Sequence, residues 1–207
     1  LHDLGQSLWL DSISRGLLTS GTLGGYISDF AVTGLTSNPT IFDQAIRNTA
    51  AYDDAILKKA AEGKRGETLF FELALEDLRQ AADLFRPVYD ATDGVDGWVS
   101  IEVSPLLAKD TAGTIRAAAQ LHAQAERANI FIKIPGTSEG VPAIEAATFA
   151  GVPVNVTLLF SCEHYIAAAE ASLRGIQRRF AAGRDPVLNS VDPVFDTRGD
   201  LPLTGTG

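Results

Sequence analysis

A lysine inside an apolar segment is the feature of this sequence best suited to covalent chemistry. Lys133 interrupts the run Ile-Phe-Ile-Lys-Ile-Pro, residues 130–135. Side chains alternate across a β-strand, so Lys133 shares one face with Phe131 and the isoleucines share the other. Isoleucines suit a face covered by helices, which turns Lys133 inward, into a core with apolar surroundings. Burial favours the neutral amine, and a neutral lysine amine attacks ketones to form imines. Lys133 is therefore a candidate nucleophile.

The same alternation places polar side chains on the inward face of four further segments. Two carboxylates could move protons and three neutral groups could hold hydroxyls: Asp11, Glu102, Asn38, Asn155 and Thr157. Because an unpaired buried polar group costs about 1–3 kcal/mol, five such placements are hard to explain as accident. Catalytic groups of parallel α/β proteins gather at the carboxyl ends of strands, where we predict this site to lie.

Structural roles remain open for several of these residues. Lys133 could extend its amine to solvent at a strand end. Asp11 and Asn38 could cap the short helices that follow them. Glu102 has few structural alternatives, because burying an unpaired carboxylate is costly.

The elements that must position these residues follow an alternating pattern. Short apolar runs and longer amphipathic stretches succeed one another, which is typical of strand–helix units around a parallel sheet. Strands are predicted at Gln6–Leu10, Ala31–Thr36, Gly97–Val103, Asn129–Pro135 and Val152–Phe160. Long helices are predicted at Thr68–Leu84, Thr111–Arg127 and Cys162–Ala182, and short ones at Ser12–Gly16, Thr40–Ile46 and Ser138–Ala147.

Chain length limits the fold. Five strand–helix units are complete by Ala182, whereas a closed eight-stranded barrel typically needs ~250 residues. Three further units do not fit between Gly183 and Gly207. The fold is therefore expected to be either a fragment of a (β/α)8 barrel or an open sheet. We expect one domain over residues 1–184 and an irregular tail or degenerate sixth strand over residues 185–207.

The amino-acid composition indicates which classes of binding partner and which cellular compartment to expect. The chain is 45% apolar and 21% charged, an ordinary balance for a soluble globular protein. Its formal net charge of −9 argues against nucleic acid and anionic membranes as partners. No window approaches the ~20 apolar residues of a membrane span. The single cysteine, Cys162, and three histidines leave little for a metal site and suit a reducing cytoplasm.

Five segments, in this order, carry a family resemblance. They are Gly-Gln-Ser-Leu-Trp-Leu-Asp (5–11), Gly-Leu-Thr-Ser-Asn-Pro-Thr-Ile-Phe (34–42), Ser-Ile-Glu-Val-Ser-Pro (100–105), Ile-Phe-Ile-Lys-Ile-Pro-Gly-Thr (130–137) and Val-Asn-Val-Thr-Leu-Leu-Phe-Ser (154–161). The sequence resembles the transaldolase family, particularly the longer bacterial form found alone or fused to glucose-6-phosphate isomerase. The resemblance implies a (β/α)8 barrel, incomplete here after the fifth strand–helix unit.

The resemblance also implies a class I aldol mechanism of the pentose phosphate pathway, without cofactor or metal. Lys133 would form an imine with fructose 6-phosphate or sedoheptulose 7-phosphate. Asp11 would take the proton of the C4 hydroxyl as the C3–C4 bond breaks. The retained dihydroxyacetone unit would pass to erythrose 4-phosphate or glyceraldehyde 3-phosphate.

Supporting roles follow from the same resemblance. Glu102 would act through a water positioned with Thr157, helping the imine to form and to hydrolyse. Asn38 and Asn155 would hold the dihydroxyacetone unit, and Asn155 would also orient the lysine.

The sequence departs from the family pattern at the phosphate-binding half of the site. In the family the sixth strand carries a serine and, five residues later, an arginine that binds phosphate. The aligned positions here are Pro193 and Arg198. Proline and the neighbouring acidic residues disfavour a strand. Arg198 remains the candidate phosphate ligand, and the seventh and eighth strands have no counterpart in the sequence.

Two other functions compete with a transaldolase. A fructose-6-phosphate-type aldolase would release free dihydroxyacetone instead of transferring it. A truncated, catalytically silent relative would keep the ancestral residues without the activity. Because an incomplete barrel has two open sheet edges, pairing into a homo-oligomer is a further hypothesis.

Overall fold

The computed structural model of the chain describes residues 4–191 and contains six strands and eight α-helices within them. The strands are β1 (Leu8–Asp11), β2 (Val32–Thr36), β3 (Trp98–Glu102), β4 (Ile130–Pro135), β5 (Val154–Thr157) and β6 (Ser190–Val191). The helices are α1 (Arg15–Thr19), α2 (Thr22–Phe30), α3 (Pro39–Asn48), α4 (Asp53–Ala61), α5 (Gly66–Ala91), α6 (Thr111–Ala125), α7 (Gly140–Ala150) and α8 (Cys162–Ala181). Short 3₁₀ turns lie at Ala50–Tyr52 and Pro105–Leu107.

The strands form one parallel sheet in which sequence neighbours are also sheet neighbours, in the order β1-β2-β3-β4-β5-β6. The sheet is curled. Trp9 on β1 and Phe131 on β4 stack with ring centroids 6.3 Å apart, whereas strands three positions apart in a flat sheet are separated by about 14 Å. The fold is an incomplete (β/α)8 barrel, as the resemblance implied.

The two faces of the sheet have different contents. The outward face packs on the helices through residues such as Val99, Ile101 and Ile132, all within one buried apolar cluster. The inward face carries aromatic rings at its amino-terminal end, where Trp98 stacks on Phe131 with centroids 4.0 Å apart. Polar side chains follow on the same face toward the carboxyl ends. The alternation predicted from the sequence is therefore confirmed.

The five predicted strands are present, with one boundary error that matters for the site. The fifth strand was predicted to continue to Phe160, but it ends at Thr157. Alternation along a strand that reached Phe160 would place Leu158 on the helix-covered face with Val154 and Val156, and this is wrong: Leu158 has a left-handed backbone with φ of 61° and is 44% exposed. The apolar run continues past the ladder because Leu159 packs into the core from the turn.

Helix prediction failed mainly in the first half of the chain. The helices α2 and α4 were not predicted, and α5 extends well beyond the predicted Thr68–Leu84. Helix α2 begins after Gly21 and contains Gly24 and Gly25. Glycine is a poor helix former, so the local signal was weak and tertiary packing determines the outcome.

The last described strand pairs with β5, through Val154↔Ser190 and Asn155↔Val191. The predicted division of the chain at residue 184 stays a prediction.

Two residues named from the sequence, Arg198 and Pro193, lie outside the described residues. No helix within residues 4–191 is long and apolar enough to cross a membrane.

Gly34 makes the inward stack of rings possible. A Cβ atom at this position of β2 would lie 2.5 Å from Cε2 of Trp9. We expect Gly34→Ala to lower the free energy of unfolding by about 1–3 kcal/mol, because the ring has to shift to relieve the overlap. Urea unfolding followed by circular dichroism measures the change. Gly24→Ala is the matched control, since nothing lies within 4 Å of its added methyl group. An equal loss in both variants would contradict the explanation.

Candidate active site

Strand register brings three of the predicted site residues into one row. Glu102 on β3 pairs with Lys133 on β4, and Lys133 pairs with Asn155 on β5. Thr157 lies one step further along β5, opposite Pro135, and faces inward like Asn155. The row therefore presents a carboxylate, an amine and an amide on adjacent strands.

The amine of Lys133 is enclosed by oxygen atoms. Its Nζ donates a hydrogen bond to the carbonyl oxygen of Ser37 at 3.0 Å and to Oγ1 of Thr36 at 3.3 Å. The nearest carboxylate oxygen of Glu102 is 3.7 Å away. With the residue only 9% exposed, the amine does not extend into solvent. The expectation of purely apolar surroundings is wrong, because the end of β2 supplies polar atoms that the alternation pattern on β4 could not reveal.

Hydroxyl groups at the end of β2 hold these oxygens in place. Ser37 Oγ donates to the carbonyl oxygen of Ser100 at 2.7 Å, and Ser100 Oγ donates to Thr36 Oγ1 at 3.0 Å. Sequence reasoning did not name Thr36 or Ser37 as site residues. Alternation along β2 places Thr36 on the inward face with Asn38, but no local pattern of residues signals a contact between strands.

The carboxylate of Glu102 has an altered acidity. Burial raises the pKa of Glu102, and the neighbouring Lys133 amine partly offsets that rise. A carboxyl group that holds its proton to a higher pH than usual is suited to both donating and accepting protons.

The two residues at the ends of β1 and β2 differ in how they are held. Asn38 is the N-cap of α3: its Oδ1 accepts a hydrogen bond from the backbone N–H of Ile41 at 2.9 Å. The capping role considered for Asn38 is confirmed, and its side-chain N–H groups remain available to a ligand. Asp11 is not a cap, because Ser14 caps α1 instead.

Asn155 and Thr157 are buried polar residues with unsatisfied atoms. Within residues 4–191, Asn155 Oδ1 and Thr157 Oγ1 have no hydrogen-bond partner. Native proteins leave few such groups, because each costs about 1–3 kcal/mol. Two of them on the inward face of β5, beside Lys133, indicate a place where a polar ligand completes the hydrogen bonding.

All the predicted site residues within the described part of the chain line one cavity of about 670 Å³. They are Asp11, Asn38, Glu102, Lys133, Asn155 and Thr157. The remaining lining residues are Ser7, Trp9, Thr36, Val95, Asp96, Leu158 and Phe160. Only Arg198 is not placed, because it lies outside the described residues. Over residues 4–191, no cluster of histidine, cysteine and carboxylate side chains could hold a metal ion.

The fold and the cavity define a (β/α)-barrel protein whose candidate site surrounds a lysine at the carboxyl ends of the strands. The chain belongs to the transaldolase/fructose-6-phosphate aldolase family, whose model matches residues 8–191.

Curated relatives named transaldolase match nearly the whole chain. The protein of Thermobifida fusca is 47% identical over 98% of this chain and 55% of its own length. That of Trichodesmium erythraeum is 43% identical over 99% of this chain and 54% of its own length. The protein of Thiobacillus denitrificans is 42% identical over 99% of this chain and 58% of its own length. The chain thus spans about half the length of the curated relatives it matches.

The raised pKa of Glu102 predicts a pH-dependent stability. Because the pKa in the folded protein exceeds the value of about 4.3 in unfolded chains, folding favours the protonated carboxyl group. The contribution of Glu102 to the free energy of unfolding is fully present below the unfolded pKa of about 4.3. This contribution is lost as the pH rises through the pKa of the folded protein. We expect the stability of Glu102→Gln relative to the parent to be greater at pH 7 than at pH 4. Urea unfolding at both pH values measures the difference.

The Lys133→Met background provides the control for this prediction. Removing the amine removes the attraction that lowers the pKa of Glu102, so the pH dependence of the Glu102→Gln effect should increase. If the stability of Glu102→Gln relative to the parent declined from pH 4 to pH 7, the pKa of Glu102 would be lowered by folding and the prediction would be wrong.

Proposed function

We propose that this chain carries the lysine-centred site of a transaldolase, which moves a dihydroxyacetone unit from a ketose phosphate to an aldose phosphate. The observation that supports this most strongly is the convergence of Lys133 and the other predicted residues on one cavity at the strand ends. Family membership supports it independently. Fructose 6-phosphate and sedoheptulose 7-phosphate are the proposed donors, and erythrose 4-phosphate and glyceraldehyde 3-phosphate the proposed acceptors.

The first step of the proposed reaction is imine formation. The Lys133 nitrogen attacks the C2 carbonyl of the ketose, and the carbonyl oxygen leaves as water. Glu102, with its carboxylate 3.7 Å from Nζ and a raised pKa, exchanges the protons of this step through a water held with Thr157. No cofactor is required, because the protonated imine itself accepts electrons from the neighbouring carbon.

The second step is cleavage of the C3–C4 bond. Asp11 takes the proton of the C4 hydroxyl, the aldose leaves as its aldehyde, and the electron pair of the broken bond forms an enamine with the imine. Asn38 and Asn155 hold the hydroxyls of the retained unit. The enamine then attacks the aldehyde of the acceptor, and hydrolysis of the new imine releases the product and frees Lys133.

A simple aldolase is the second candidate, because the matching family description covers both activities. In that case the enamine is protonated and free dihydroxyacetone is released. A reaction that depends on an added acceptor aldose indicates a transaldolase, and one that proceeds without an acceptor indicates a simple aldolase.

We further propose that the reaction belongs to the pentose phosphate pathway in the cytoplasm and that Arg198 binds a phosphate group of the substrate. Pairing of incomplete barrels into a homo-oligomer remains a separate hypothesis.

Borohydride reduction with fructose 6-phosphate tests the imine directly. We expect a reduced three-carbon adduct on Lys133, detected by intact mass and located by peptide mapping. Lys133→Met should lose the adduct completely, because among residues 4–191 Lys133 is the only lysine that lines the cavity. Lys109→Arg, at an exposed position, should keep it.

Two results of this experiment would count against the proposal. Absence of any adduct, from protein shown by circular dichroism to be folded, would identify a catalytically silent member of the family. An adduct that persists in Lys133→Met would assign the imine to another lysine.

The unsatisfied hydroxyl of Thr157 predicts opposite effects on stability and activity. Thr157→Val keeps the shape and removes a buried oxygen that has no hydrogen-bond partner in the described part of the chain, so the free energy of unfolding should rise by about 1 kcal/mol. Imine formation should slow by roughly tenfold, because the hydroxyl positions a proton-carrying water. Borohydride trapping at successive times measures the rate of imine formation, and urea unfolding measures the stability.

Thr33→Val is the matched control, since Thr33 Oγ1 is also buried with no hydrogen-bond partner among residues 4–191 but does not line the cavity. It should stabilise the protein and leave the trapping rate unchanged. An unchanged trapping rate in Thr157→Val would remove Thr157 from the proposed mechanism.

A further inference from the structure

A buried carboxylate outside the cavity is tied to the element that follows Asp11. Asp77 on α5 is completely buried. Its Oδ2 accepts a hydrogen bond from the Tyr52 hydroxyl at 2.6 Å, and its Oδ1 accepts one from Nε of Arg15 at 2.9 Å. A buried charge of this kind persists only when its partners are fixed in place.

The contacts of Asp77 converge on the first residue of α1. Besides its guanidinium contact, Arg15 donates its backbone N–H to the hydroxyl oxygen of Tyr52 at 3.0 Å. The guanidinium also lies over the Tyr52 ring, 4.5 Å from its centroid, and donates to Glu76 at 3.1 Å. The side chain of Arg15 is therefore anchored directly to α5, and its backbone is anchored to Tyr52 in the 3₁₀ turn, whose hydroxyl in turn donates to Asp77. Burial raises the pKa of Asp77, while Tyr52 and Arg15 act in the opposite direction.

Asp11 needs an anchor of this kind. Asp11 is exposed at the end of β1, so burial does not hold its carboxylate in one orientation. Its orientation depends on the backbone on either side. On one side β1 pairs with β2, with Asp11 opposite Thr36. On the other side only residues 12–14 separate Asp11 from Arg15, where the anchored helix begins.

We infer that Asp77 is a positioning residue for the reaction, which acts through Tyr52 and Arg15 to hold the β1–α1 connection and direct Asp11 at the reacting hydroxyl. The inference rests on the proposed function. Displacement of a reacting group by about 1 Å can slow a reaction by as much as a hundredfold. Loosening Arg15 should therefore slow the step that needs Asp11 and spare the step that needs only Lys133.

Borohydride trapping with fructose 6-phosphate reports both steps in one mass spectrum. Reduction before cleavage leaves a six-carbon phosphorylated adduct on Lys133. After cleavage, the enamine takes up a proton and its imine is reduced to a three-carbon adduct. The ratio of the two adducts measures cleavage within the molecules that have formed an imine, so it does not depend on the folded fraction.

Tyr52→Phe is the central variant, because it removes the hydroxyl that joins the backbone N–H of Arg15 to Asp77 and keeps the ring and the direct guanidinium contact. We expect the ratio of three-carbon to six-carbon adduct to fall by about tenfold while total trapping with dihydroxyacetone is unchanged. Asp77→Asn should shift the ratio in the same direction. Asp11→Asn should give the lowest ratio of three-carbon to six-carbon adduct, with the six-carbon adduct predominating.

Asn129→Ala is the matched control for lost stability. Asn129 is fully buried, does not line the cavity, and donates hydrogen bonds to Ala82 and Gly97 at the amino-terminal end of the strands. It should destabilise the protein without changing the adduct ratio.

The outcomes separate the inference from the function on which it rests. An unchanged ratio in Tyr52→Phe and Asp77→Asn, with a shifted ratio in Asp11→Asn, would overturn the inference and leave the function standing. An equal shift in Asn129→Ala would also overturn it, since any destabilisation would then have the same effect. Parent protein without either adduct on Lys133 would remove the proposed function and the inference together.

Discussion

The in-register pairing of β3, β4 and β5 is the constraint on which the rest of the candidate site depends. It places Glu102, Lys133 and Asn155 in one row. Because side chains alternate with period two, a slip of one residue in any of these strands would turn its polar group outward into the helix layer. The isoleucines on the other face of β4 oppose such a slip, since they would lose their burial at the same time.

Curvature of the sheet converts this row into a cavity. The stacking of Trp9 on Phe131 brings β1 toward β4, and Gly34 leaves the space for that contact. Asp11 at the end of β1 can then share a cavity with Lys133, although two strands lie between them. Packing at the amino-terminal end of the barrel thus determines which groups meet at the carboxyl end.

Polar groups in the barrel interior are treated in two different ways. Ser37, Ser100 and Thr36 satisfy one another and hold the oxygens around the Lys133 amine. Asn155 and Thr157 are buried with unsatisfied atoms. The first arrangement adds rigidity, and the second lowers stability where a polar ligand would be bound. Proteins commonly accept such a loss of stability at functional sites.

The sequence by itself determined the parallel strand–helix pattern, the inward face of each strand and six of the residues that line the cavity within residues 4–191. These are local properties, because alternation and apolar run length are written into a few consecutive residues. Only the tertiary structure decided the contacts of the Lys133 amine, the end of β5 at Thr157 and the link from Asp77 through Tyr52 to Arg15. Each joins segments far apart in the chain, so no local pattern of residues encodes it.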